Sequence, residues 1–199
     1  MMGDVLTVVL GGSRNHNQLP DEVVERLQTW INEGVDFVVG DASGIDTVFQ
    51  SVLKKYKDVQ VRVFTSAPHV RSNLGDWPVV PVDSGLKSRG SAMHTAKDRE
   101  MTRIADSGLL TWDGRSAGTL ANVIDLADQG KDTYLYVAPE RSLLHVEDAL
   151  GITELAHAYP EPFAEAQKRL RQFAKRNAKQ HKPVGQSEKL FDEPESPHP

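Results

Sequence analysis

The sequence contains no cysteine. Disulfide bonds, thiolate nucleophiles and cysteine-ligated zinc are therefore excluded, and the composition fits a reducing compartment. No apolar run approaches the roughly 20 residues needed to cross a bilayer. Met1-Met2-Gly3-Asp4 also lacks the basic start and apolar stretch of a signal peptide. A cytoplasmic protein with no membrane partner is the expectation. An excess of basic charge is missing too: 23 Lys and Arg stand against 28 Asp and Glu, a net charge of −5. Aromatic residues make up 7% and are not interleaved with the basic ones, as a base-stacking platform would require. Nucleic acid is accordingly not expected as a partner. The chain of 199 residues suits one domain of ordinary size followed by a tail.

What is present is a recurring unit of apolar run, small-residue loop and helical pattern. Its most informative copy joins Leu109–Trp112 to Asp113-Gly114-Arg115-Ser116-Ala117-Gly118-Thr119. Leu120, Val123, Ile124 and Ala127 then recur at helical spacing, Asn122 and Asp125 lie off that face, and Gly130 ends the helix. Such a join leaves backbone N–H groups free beside the positive end of a helix dipole, which suits a phosphate. An ordinary turn capped by Ser116 or Thr119 explains the same residues.

Val5–Leu10 is a near-continuous apolar run, the pattern of a strand buried on both faces of a parallel sheet. Gly11-Gly12-Ser13-Arg14 follows, and Arg14 adds a guanidinium fork able to hold phosphate. A helix opens at Asp21, with Val23, Val24, Leu27, Trp30 and Ile31 on one face and Gly34 as its stop. Phe37–Val39 repeats the unit and ends in Gly40-Asp41-Ala42-Ser43-Gly44, followed by a helix with Ile45, Val48, Phe49, Val52 and Leu53. Asp41 lies just past a strand, where open α/β sheets bind ligands, and could accept hydrogen bonds from a ribose or from a partner loop. Asp46 suits a helix start as well as it suits a ligand.

Val61, Val63 and Phe64 suggest a third strand. A long loop follows to Ala92, with a short strand at Val79, Val80 and Val82. Its His69, Arg71, Trp77 and Lys87 could cover a base or a sugar. The next helix buries Met93, Ala96, Met101, Ile104 and Ala105. Its Lys97-Asp98-Arg99 cluster reads by default as solvated, although Lys97 sits four residues before Met101, near the core stripe, and there needs a partner. Thr133–Val137 supplies a fifth strand, and two helices follow over Leu150–Tyr159 and Glu161–Lys179.

Taken together and in order, Gly12-Ser13-Arg14, Gly40-Asp41-Ala42-Ser43-Gly44-Ile45-Asp46, Lys97-Asp98-Arg99-Glu100-Met101 and Ser116-Ala117-Gly118-Thr119 resemble the SLOG superfamily over roughly residues 5–137. This Rossmann-like set includes DprA-like and LOG proteins. The resemblance implies a nucleotide ligand; LOG-type members cleave the N-glycosidic bond of nucleoside monophosphates, and DprA-type members bind single-stranded DNA. Where LOG enzymes carry an arginine on the helix motif and a glutamate three residues after Gly-Thr, this sequence has Lys97 and Asn122. A neutral amide cannot serve as a carboxylate base.

These observations lead to an α/β fold: a Rossmann-like, mainly parallel sheet of about five strands, helices on both faces and a helical C-terminal extension. Residues 1–140 form the nucleotide-binding domain, 141–180 the extension and 181–199 a disordered tail. The expected function is binding of a nucleotide or nucleotide-derived metabolite at the C-terminal edge of the sheet. Gly12, Ser13, Arg14, Ser116, Gly118 and Thr119 surround phosphate, Asp41, Ser43, Gly44 and Asp113 lie near the ribose, and Gly114, Lys97 and Asn122 complete the site. The alternative is an N-glycosidic hydrolase or transferase in which Lys97 holds phosphate and Asp46 or Asp113 replaces the missing glutamate. A third reading is DprA-like binding of single strands through the basic C-terminal helix. No cofactor or metal is expected, and a homo-oligomer is left open.

Overall fold

The apolar run near the N-terminus forms β1 (Thr7–Gly12), whose Val8, Val9 and Leu10 are wholly buried. Both faces of this strand meet apolar neighbours because it lies mid-sheet, which is why it reads as a continuous run without alternation. A computed structural model describes residues 5–83 and 91–180, the latter without the side chains of 91–94, 177, 179 and 180. The tail expected to be disordered, residues 181–199, lies outside the described residues, as does Lys87.

After β1 come α1 (Asp21–Asn32), β2 (Asp36–Gly40), α2 (Ile45–Leu53), β3 (Val61–Thr65) and β4 (Val79–Pro81). The second half holds α3 (Ser91–Ile104), β5 (Ser107–Trp112), α4 (Ala117–Asp128), β6 (Thr133–Val137), β7 (Ser142–Val146), α5 (Ala149–Ala158) and α6 (Pro160–Gln180). The sheet order is β4-β3-β2-β1-β5-β6-β7, parallel throughout except for the β6–β7 pair. Among the described residues seven strands thus stand where about five were expected. β7 is the strand that sequence periodicity did not mark. It follows a tight reversal at Arg141, where φ is +51°, and sends Leu143 to one face and Leu144 and Val146 to the other. As an edge strand it needs little apolar content to pair.

Alternating strand residues feed two cores, so the helices lie on both faces of a Rossmann-like sheet. Val8, Leu10, Phe37, Val39 and Val63 pack with Val23, Leu27 and Trp30 of α1 and Phe49 and Leu53 of α2. Val9, Val38, Phe64, Leu110 and Leu135 pack with Met101 of α3, Leu120 and Val123 of α4, and Phe163 and Ala166 of α6. Among the described residues, no helix is long and apolar enough to cross a membrane. The chain leaves β1 toward β2 on one side and β5 toward β6 on the other. That reversal between neighbouring strands opens a crevice at their C-terminal ends, the usual ligand position in open α/β sheets.

Candidate functional site

The crevice is a cleft of about 550 Å³, within the range of small-molecule pockets. Its walls come from the β1 and β2 loops, α3, the β5–α4 join and α6. Of the residues expected at the site, Gly12, Arg14, Ser43, Lys97, Asp113, Ser116, Gly118, Thr119 and Asn122 line it. Ser13, Asp41, Gly44 and Gly114 stand behind the lining, and each has a structural task there.

Ser13 stitches the two loops at the reversal. Its backbone N–H donates to Thr111 O (2.8 Å), its hydroxyl donates to Asp113 Oδ1 (3.0 Å), and the same oxygen accepts from Asp113 N (3.1 Å). Gly12 precedes it with φ +152°, and a β-carbon there would collide with the Thr111 backbone. The close approach of β1 to β5 therefore requires glycine. Gly44, with φ +91°, packs against the Arg14 backbone, and Gly114, with φ +77°, packs against Pro139. Asp113 shapes its own loop by accepting from Arg115 N (3.0 Å) and Ser116 N (2.8 Å). Burial pushes its carboxyl up, but those amides, the Ser13 hydroxyl and nearby His16 outweigh this and hold it below the usual range.

Ser116 caps α4, its Oγ accepting from Thr119 N (3.4 Å). The amides of Ala117 and Gly118 occupy the first turn, where a helix has no internal acceptor to offer. Besides the buried Arg99, three exposed arginines line the same cleft from well-separated segments: Arg14 after β1, Arg115 before α4 and Arg169 from α6. A β-carbon on Gly118 would lie 3.6 Å from Arg169 Nη1, which places that cation over the α4 N-terminus. Sequence reading saw Arg169 only as one charge on a basic helix. Its place was marked faintly by the Phe163, Ala166 and Leu170 stripe, which sets Arg169 beside the buried face.

The default expectation of a solvated cluster on α3 is corrected. Lys97 is 3% exposed and Arg99 is 9% exposed, because α3 packs on the sheet beside α4 and each cation meets a carboxylate: Asp46 at the start of α2 and Asp98 for Lys97, Asp125 of α4 for Arg99. Lys97 Nζ lies 3.3 Å from Asp98 Oδ1 and 3.7 Å from Asp46 Oδ2. Gly40 gives this group its room, since a β-carbon there would strike both the Asp46 carboxylate and the Lys97 ammonium. Burial works against the Lys97 charge, yet Asp98, Asp46 and Asp41 raise its pKa above the ordinary lysine value. Burial dominates at Asp46, whose carboxyl is pushed up despite Lys97, with the Asp98 and Asp41 charges acting in the same upward direction.

Arg99 braces α3 against α4: it donates to Ala121 O (3.2 Å) and to Asn122 Oδ1, and pairs with Asp125 Oδ2 (2.8 Å). Asp41 turns to a loop and away from the cleft. It is wholly buried and accepts from Thr65 Oγ1 (2.7 Å), from Arg71 N (3.1 Å) and from two guanidinium nitrogens of Arg71 (3.1 and 2.5 Å). The partner-loop role weighed for it is the one the fold uses. Among the described residues no cluster of three His, Asp or Glu side chains could hold a metal ion.

No protein-family model and no curated protein matches the sequence. One similar solved structure is DNA processing protein A from Helicobacter pylori, described for its single-stranded DNA binding mode. It is 14% identical, with a TM-score of 0.49, and the match covers 86% of this chain and 81% of that one. The likeness is one of fold. The expectation that set nucleic acid aside is corrected at this point. This neighbour is described as binding single-stranded DNA, and the net charge behind the exclusion is a sum over the chain that says nothing of a cleft lined by Arg14, Arg115 and Arg169.

Proposed function

We propose that the cleft binds a nucleotide or nucleotide-derived metabolite, with a phosphate group at the N-terminus of α4. One observation carries this reading: arginines from three segments distant in sequence line the cleft onto which the α4 N-terminus opens, with Arg169 over that terminus, where two amides have no helical acceptor. A dianion there meets backbone donors, the helix dipole and planar guanidinium forks together. Titration calorimetry with AMP, adenosine and inorganic phosphate tests it. AMP should bind and adenosine should not, and a Arg115→Ala/Arg169→Ala double variant should bind AMP about 10- to 100-fold more weakly. Equal binding of AMP and adenosine, or an unaffected double variant that is folded, would refute the phosphate site. A short single-stranded oligonucleotide belongs in the same panel, since a phosphodiester offers the same oxygens and α6 continues outward from Arg169 with exposed Lys168, Arg171, Lys175 and Arg176.

Hydrolysis of an N-glycosidic bond is the second reading, and Asp46 favours it. This acid lines the cleft, is 8% exposed and has its pKa raised by burial, the direction in which a proton-transferring carboxyl is tuned. Release of free base from a nucleotide panel, abolished in Asp46→Asn, would establish it. Stable binding with no base released would leave a binding protein.

A further inference from the structure

We infer that Asn122 presents its amide N–H groups to the bound ligand and so selects a hydrogen-bond acceptor, with Arg99 as the positioning residue that fixes the sense of the carboxamide. A carboxamide has an oxygen that only accepts and a nitrogen that only donates, and its neighbours decide which way it points. Arg99 has donors alone and is always charged. The Asn122 atom facing it must therefore be the oxygen, and Arg99 does donate to Asn122 Oδ1.

This arrangement cannot relax by a simple rotation. The guanidinium is held by Ala121 O at 3.2 Å and Asp125 Oδ2 at 2.8 Å, both on α4, and is buried. Thr102 also donates to Asp125, which fixes the carboxylate from the α3 side. Turning the amide over would set its N–H groups against a buried cation and strand the guanidinium donor, at the cost of an unmade hydrogen bond in a dry place. Asn122 Nδ2 is left over. It has no hydrogen-bond partner among the described residues and is not sealed from solvent, and Asn122 lines the cleft.

Asn122 lies three residues after Thr119, on the same side of α4 as the capping hydroxyls. Helical rise puts it about 6 Å along the axis from the first-turn amides. The ligand class that fits carries a phosphate at the α4 N-terminus and a second acceptor oxygen, of an ester or a sugar, about one helical turn away. A carboxylate in this place would also be held by Arg99, but would turn an acceptor toward the ligand. The identity of residue 122 therefore sets which ligand atom is tolerated.

The part played toward ligand rests on phosphate binding in the cleft, whereas the orientation of the amide does not. Two measurements separate them. In nitrogen-15 spectra of the free protein, the side-chain signals of Asn122, identified by their loss in Asn122→Asp, should exchange with solvent and broaden with a neutral soluble paramagnetic agent. AMP should protect them. In calorimetry with AMP, Asn122→Ala should bind about 2- to 10-fold more weakly than wild type, the loss of one neutral hydrogen bond. Asn122→Asp, checked for folding by circular dichroism, should be about tenfold weaker again, because an acceptor then faces an acceptor. Amide signals protected in the free protein, or Asn122→Asp binding AMP as tightly as wild type, would overturn the inference and leave the phosphate site standing. If wild type fails to prefer AMP over adenosine, the phosphate reading falls, and the spectra of the free protein still decide the amide's direction.

Discussion

Asp41 shows how one carboxylate ties a loop to the sheet. Burial pushes its carboxyl up, but hydrogen bonds from Arg71 and Thr65 outweigh this and hold it below the ordinary value of 3.8. A group whose folded pKa is lowered adds stability that is complete above the unfolded value and is lost as pH falls through the folded one. Asp41→Asn should therefore lower the unfolding free energy at pH 7 by about 1–3 kcal/mol. The gap between wild type and variant should narrow below pH 3.8 and close as the carboxylate is protonated. Urea unfolding across pH 2.5 to 7, at about half-unit steps, measures this. A gap that stays constant would mean that Arg71, half in solvent, contributes nothing through charge. The sequence announced Asp41 by its place after a strand, but not its partner. Arg71 lies 30 residues on, in a loop without periodicity, and nothing local marks which side chain folds back. Lys97 is similar: helical spacing put it near the core stripe, against a default of solvation, while its partner Asp46 belongs to a different βα unit.

Elements whose burial is written in local pattern were legible. β1 and β2 show the unbroken apolar runs of strands buried on both faces, and α1, α2 and α4 show helical spacing, so the expected and observed cores coincide at Val23, Leu27, Phe49, Leu120 and Val123. β7 escaped because its environment is made by a neighbour: pairing with β6 supplies the hydrogen bonds, and a short edge strand needs no long apolar run. α6 was visible as a helix, but not as a wall of the cleft. Phe163 and Ala166 seat it against the core that α4 shares, and Arg169 follows three residues after Ala166. Phe163→Ala should cost about 3–5 kcal/mol in urea unfolding. It should also weaken AMP binding, although Phe163 does not line the cleft, because the helix that carries Arg169 loses its seat. Reduced stability with unchanged affinity would show that Arg169 makes no demand on that seat.

At the scale of the whole molecule, two fields oppose each other. The chain carries a net charge of −5, which repels an anionic ligand at long range, while the cleft arginines attract it at contact. Salt screens both, and the Debye length falls from about 10 Å at 0.1 M to about 3 Å at 1 M. Arg14, Arg115 and Arg169 are open to solvent, so their attraction is screened as well as the repulsion. AMP affinity should accordingly fall several-fold between 0.1 and 1 M sodium chloride, and calorimetry at matched pH measures it. An oligonucleotide, if it binds, should show the steeper dependence, since each neutralised phosphate releases a counterion. Affinity independent of salt would point to contacts that are not ionic.

Because Arg169 sits on α6, the last helix among the described residues, the order in which a ribosome makes the chain bears on the cleft. Arg14 and Arg115 emerge first, and at about 5–20 residues per second Arg169 follows Arg115 by roughly 3–10 s. Until then a nascent chain holds the glycine loops and α4, but the corner proposed for phosphate has two of its three exposed arginines and the apolar flank of α4 is bare. A product truncated before residue 160 stays in that condition permanently. If the proposed phosphate site is right, its full set of arginines is thereby reserved for chains translated through α6, and shorter products leave the apolar flank of α4 uncovered.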